Sequence, residues 1–157
     1  MSEPTSEISQ FIQTGELSDV RFFEVFGKVL DDEREDIPED EFVHGLTVRI
    51  GREPGFVEVR VDMTVETAHA DYRVTAATQY HYQPVEFQVS EPLGREFAER
   101  VGVMAVYPYV REAFASLARR LGQPPVTLPL MRAGELSLGE PTQPVSDANA
   151  VDAGGSS

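Results

Sequence analysis

The sequence predicts an α+β domain, a four-stranded antiparallel sheet in meander order followed by a long C-terminal helix. Three observations carry that prediction. Over residues 55–67, Val57, Val59, Val61, Met63 and Val65 alternate with Glu58, Arg60, Asp62, Thr64 and Glu66, the period of two of a half-buried strand. Further on, Val110, Ala113, Phe114, Leu117, Ala118 and Leu121 recur at helical spacing, forming one stripe opposite Arg111, Glu112, Arg119 and Arg120. Strand-like segments rich in Val, Phe and Tyr all precede this stripe, which segregates sheet from helix and defines the class.

The elements follow in order. Residues 1–17 form a polar N-terminal segment, with a short helix expected around Ile8, Phe11 and Ile12 that Gly15 would close. The run DVRFFEVFGK, Asp19 to Lys28, reads as a strand. Strict alternation puts Val20, Phe22 and Phe26 on one face and Phe23 and Val25 on the other. Such a strand is either central and covered twice, or it lies at an assembly interface. Eight of the eleven residues from Asp31 to Glu41 are acidic, so this block is expected to be a solvated loop held off the core by its own charge. A docking surface for a basic partner is the sharper alternative.

Phe42 to Ile50 is the second strand, with Phe42, His44, Leu46, Val48 and Ile50 sharing a face. Arg52, Glu53, Pro54 and Gly55 supply a turn into the strand Gly55 to Thr67. The fourth strand, Asp71 to Tyr82, places Tyr72, Val74, Ala76, Thr78, Tyr80 and Tyr82 on one side. Apolar parity then flips to Val85, Phe87 and Val89, so a bulge or break is expected at Gln83–Pro84. Glu91, Pro92 and Leu93 open a short helix through Phe97 to Val101. Pro108 suits the first position of a second helix, where its missing N–H costs nothing, and Gly122 ends that helix. Gln123 to Leu130 must be extended. The expected organisation is an N-terminal segment over 1–17, one domain over 18–131, and a disordered tail over 132–157 rich in Pro, Ser, Ala and Gly.

Composition narrows the function. The 157 residues carry 27 acidic against 13 basic groups, a formal charge of -14, which argues against nucleic acid as a partner. An apolar content of 41% is ordinary for a globular domain. The absence of cysteine removes disulfides, thiolate metal sites and a cysteine nucleophile. With no secretory signal pattern and no apolar run long enough to span a bilayer, the expected location is cytoplasmic, without membrane insertion.

Chemical motifs are missing too. There is no GxGxxG, no GxxxxGK[ST] and no GxSxG, and His44, His69 and His81 stand in separate segments without metal-ligand spacing. No catalytic residue, metal site or cofactor is expected, and the chain does not read as an enzyme. Only His81, flanked by Tyr80 and Tyr82, offers a starting point for catalysis. The helix stripe can cover one face of the sheet, so aromatic side chains are expected on the other. Phe23, Val25, Phe42, Tyr80, Tyr82 and Phe87 are the candidate contacts for an extended apolar chain, with edge backbone groups adding hydrogen bonds.

The segment VMAVYPYVREAFASLARRLGQPPVTLPLM, with QYHY and EPL upstream, resembles the end of the SecB fold, where an aromatic-Pro-Tyr-x-Arg-Glu stretch starts a long helix. In element order the resemblance spans about Ser18 to Met131, and it is specific over Tyr80 to Leu130. It points to the actinobacterial SecB-like chaperones, including those paired with toxin–antitoxin systems. The resemblance implies an ATP-independent holdase, homotetrameric as a dimer of dimers, that binds unfolded polypeptides (preproteins or an antitoxin) in hydrophobic grooves. Tyr107, Pro108, Tyr109, Arg111 and Glu112 match the family motif, with the structural role of starting and anchoring the helix. The family's second C-terminal helix is expected to be reduced in Met131 to Gly139, which bears on docking to the SecA motor. Two other readings stand beside this one: a small-molecule-binding or enzymatic α+β cup lined by His81 and the tyrosines, and an adaptor docking a basic partner through residues 31–41.

Overall fold

The computed structural model describes residues 15–83, 85–129 and 131. The expected N-terminal helix, the tail over 132–157 and the reduced second helix lie outside the described residues. Four strands, β1 (Glu16–Val29), β2 (Phe42–Glu53), β3 (Phe56–Thr67) and β4 (Ala70–His81), form one antiparallel sheet. A helical run then crosses one face as α1 (Glu91–Phe97), a π-helical turn (Ala98–Gly102) and α2 (Val103–Arg120). The α+β class therefore stands.

The strand order corrects the meander. It is β1-β4-β3-β2, with consecutive hairpins only from β2 to β4 and β1 returned beside β4 in Greek-key fashion. The acidic run 31–41 makes this possible by crossing the end of the sheet. Leu30 N–H donates to the His69 carbonyl and Arg34 N–H to the Ala68 carbonyl, each at 2.8 Å. The Arg34 guanidinium adds the Thr67 carbonyl and the Asp71 carboxylate, each at 3.0 Å. Ile37 is buried inside the acidic run. Charge alone would hold this loop in water; Arg34 docks it on the β3–β4 turn.

The core lies between the helical run and the alternating face of β3 and β4. Val57, Val59, Val61, Met63 and Val65 are opposed by Tyr80, Thr78, Ala76, Val74 and Tyr72 across the ladder, and all ten are buried. The helical run passes diagonally over them. Gly94 packs on Ile50 of β2, Gly102 on Val59 of β3, Phe114 edge-on to Tyr72 of β4, and Leu117 and Leu121 on Gly27 of β1. A Cβ at Gly102 would collide with the methyl groups of Val59, so glycine there sets the closest approach of helix to sheet. The Gly102 carbonyl also accepts a 3.4 Å hydrogen bond from the Thr78 hydroxyl.

One helix expectation changes. Pro108 lies inside α2 and does not start it, because the π-turn keeps the chain helical from Glu91 onward and Val103 and Val106 extend the buried stripe upstream. Its ring is exposed, on the side of the helix where the cost of the missing bond to the Met104 carbonyl is smallest. The predicted stop holds, Gly122 turning the chain at φ +64°, and Ser90 caps the start of α1 by accepting from Leu93 N–H. β4 ends at His81, so the expected break occurs, and Val85 falls in a turn.

Candidate functional site

β1 is an edge strand, which removes the central, twice-covered alternative. Leu17, Phe22, Phe23, Val25, Phe26 and Val29 are all exposed along it, from 42% to 52%. Its faces differ from strict alternation because register shifts interrupt the pairing with β4 between Leu17 and Asp19 and between Phe22 and Glu24. Each extra residue resets the parity. Phe22 therefore opposes Ala76 and Val25 opposes Val74 on the helix side. Phe26 opposes Arg73 on the uncovered side, and the Phe23 ring stacks under the Arg60 guanidinium, 3.6 Å from centroid to Cζ. Among the described residues, the edge strand thus presents apolar groups on both faces and an unpaired row of backbone groups.

Beside it runs a groove of about 500 Å³, bounded by Val25, Phe26, Glu24, Glu66, Asp71 and Arg73. Arg73 lies 3.7 Å from the Glu24 carboxylate. Val25 and Phe26 beside three carboxylates suit an extended chain carrying apolar and basic side chains.

The other predicted contacts divide. Phe87 is exposed at 48%, on a loop fixed from beneath by Tyr82, whose hydroxyl donates to the Phe87 carbonyl (2.7 Å) and accepts from Val89 N–H (3.2 Å). Phe42 is half-buried against the core. Tyr80 and Tyr82 are core residues at 4% and 3% exposure, so the folded protomer offers neither ring to a client. They project to the helix side, where the Tyr80 ring packs edge-on against Phe97 at 4.7 Å. Leu17, Phe22, Phe26 and Val29 belong to the same surface and are absent from the predicted contacts. Their signal is the presence of apolar residues at both parities of one strand.

The cup alternative loses its site. His81 pairs with Phe56 at 5.2 Å and is exposed, whereas Tyr80 and Tyr82 point into the core through the opposite face. Burial pushes the Tyr72, Tyr80 and Tyr107 hydroxyls above their ordinary pKa, so they remain neutral. The family motif has a structural place different from the expected one. Tyr107 is buried, and its hydroxyl donates to the Pro129 carbonyl at 2.5 Å, tying the extended stretch along α2. Val126 and Leu128 of that stretch are buried beside it, and Tyr109 is exposed. The motif fastens the extended stretch to a helix that has already begun.

Among the described residues, no helix is long and apolar enough to cross a membrane. No family model matches the chain. It is 36% identical over 146 residues to the SecB-like chaperone SmegB of Mycolicibacterium smegmatis, an alignment covering 92% of this chain and 95% of that protein. It is also 37% identical over 70 residues to the SecB-like chaperone Rv1957 of Mycobacterium tuberculosis, covering 45% of this chain and 39% of that one. The solved structure of Rv1957, in complex with a ChAD peptide from the Rv1956 HigA1 antitoxin, superposes with a TM-score of 0.64 at 20% identity. That match covers 80% of this chain and 97% of the other.

Proposed function

This chain belongs to the SecB-like chaperones, and we propose that it is an ATP-independent holdase that binds non-native polypeptides through the exposed surface of β1 and the groove beside it. The observation that carries this reading is an edge strand with six exposed large apolar side chains distributed over both faces. Phe23, Val25 and Phe87 are the client contacts, with Phe42 at the margin. Binding is by equilibrium affinity, with no reaction catalysed and no cofactor. The clients are antitoxin segments or preproteins in the cytoplasm, and the acidic surface keeps the loaded complex soluble.

The assembly in this reading is the homotetramer that the family resemblance implies, a dimer of dimers of about 70 kDa from 17.4 kDa chains. Docking to SecA is part of this reading only for the preprotein client. Two measurements test it. Substoichiometric tetramer should suppress light scattering from a heat-unfolded client, and light-scattering detection after size exclusion should give the tetramer mass. Undiminished aggregation at equimolar tetramer, or a stable monomer, would overturn it.

A further inference from the structure

Beyond Gly122 the chain doubles back along α2. Gln123 N–H donates to the Ala118 carbonyl at 2.9 Å, and the Tyr107 hydroxyl, near the other end of the helix, donates to the Pro129 carbonyl at 2.5 Å. From Tyr107 to Ala118 the helix rises about 17 Å, and six extended steps from Gln123 to Pro129 reach about 20 Å, so the segment lies nearly straight. It is a strap over residues 123–129 that packs inward through Val126 and Leu128, which are 5% and 1% exposed.

The rest of the strap is lightly held. Among the described residues, the peptide groups of 124–128 make no hydrogen bond to the body of the domain. Pro124, Pro125 and Pro129 have no N–H to offer, and they keep the segment extended when it is free, so it lifts and returns at small conformational cost. Open space flanks it. A cleft of about 310 Å³ is lined by Val126 and Thr127 on the strap and by Arg111 and Ala115 on α2. On its other side, a cavity of about 100 Å³ is bounded by Pro124 and Pro125 together with Phe42 of β2. An extended segment laying alternate apolar side chains into a slot is the form in which the holding function would take a client.

We propose that residues 123–129 are an internal stand-in for client: the strap fills a second apolar slot along α2 in the empty chaperone, and an unfolded chain displaces it on binding. This rests on the holding function proposed above, and it makes the strap a competitor that lowers client affinity by the fraction of time the slot is open. The test exploits the absence of cysteine from the chain. In full-length Ala115→Cys/Thr127→Cys, whose two positions line one cleft, a cleavable bis-maleimide joins the strap to α2 within one chain. Affinity for fluorescent, reduced and carbamidomethylated lysozyme is then measured before and after cleavage of the linker. The linked chain should bind at least about tenfold more weakly than the cleaved one, because the client loses the slot for two apolar side chains. Tyr107→Phe, its fold verified by circular dichroism, frees the far end of the strap and should bind about two- to tenfold more tightly than the parent. Equal affinity of the linked and cleaved chains, or a Tyr107→Phe chain that binds no more tightly than the parent, would overturn the strap and leave the holding function standing. No binding by any form, the parent included, would overturn both.

Discussion

β1 and β3 lie in one sheet and are both rich in Val and aromatic or sulfur-containing side chains, yet they serve different ends. From Val57 to Val65, β3 alternates without interruption, so Val57, Val59, Val61, Met63 and Val65 all meet the helical run, while Phe56 packs on His81 across the other face. β1 has two register shifts and, among the described residues, no neighbour on its outer side, so its Phe and Val residues emerge on both faces. Unbroken alternation records burial within the protomer. Broken alternation on an edge leaves apolar side chains open on both faces, and it is this surface that the proposed function gives to a polypeptide client.

Substitutions can break this comparison from the interior first. Phe114→Ala removes a fully buried ring packed on Tyr72 and should cost about 4 kcal/mol in chemical denaturation. Gly102→Ala forces a methyl into Val59 and should cost about 2 kcal/mol, because neither α2 nor β3 can retreat without losing its own packing. Tyr107→Phe loses the bond to Pro129 and should cost about 1 kcal/mol, accompanied by faster proteolysis after residue 122. Phe23→Ser, on the edge strand, loses only an exposed cation–π contact and should cost less than about 1 kcal/mol.

Alkaline pH sharpens the contrast, since the buried tyrosines belong to the core. Their pKa values are raised by burial from an ordinary value of 10.0, so the unfolded chain loses these protons first. Stability is therefore full below pH 10 and falls as pH rises toward the folded-state values. Denaturation midpoints measured on either side of pH 10 should show the fall, and Tyr80→Phe, which removes one of these buried hydroxyls, should reduce it.

Local chemistry made most of the fold readable. The β3 alternation, the Val110–Leu121 stripe and Gly122 act over a few residues, and the structure keeps them. Strand order depends on a crossover docked through Arg34, with Ile37 buried in it, two residues hidden in an acidic run that signals only solvation. Pro108 points to a helix start because its fitness for that position is local, while the π-turn that carries the helix past it answers to Val59 and Thr78 across the core. Tyr80 and Tyr82 look like exposed aromatics until the helical run is seen to cover their face. The β1 surface was legible in outline, as a strand apolar at both parities. The two bulges that decide which ring faces which way were not, because they depend on pairing with β4.

The central claim is that the apolar residues of β1 hold polypeptide and contribute little to the fold. The most direct measurement compares the parent chain with Phe23→Ser/Val25→Ser, recording client aggregation and thermal unfolding on the same samples. The account predicts that suppression is lost while the unfolding midpoint falls far less than in Phe114→Ala. Full suppression by the double variant, or a loss of stability matching that of Phe114→Ala, would contradict it.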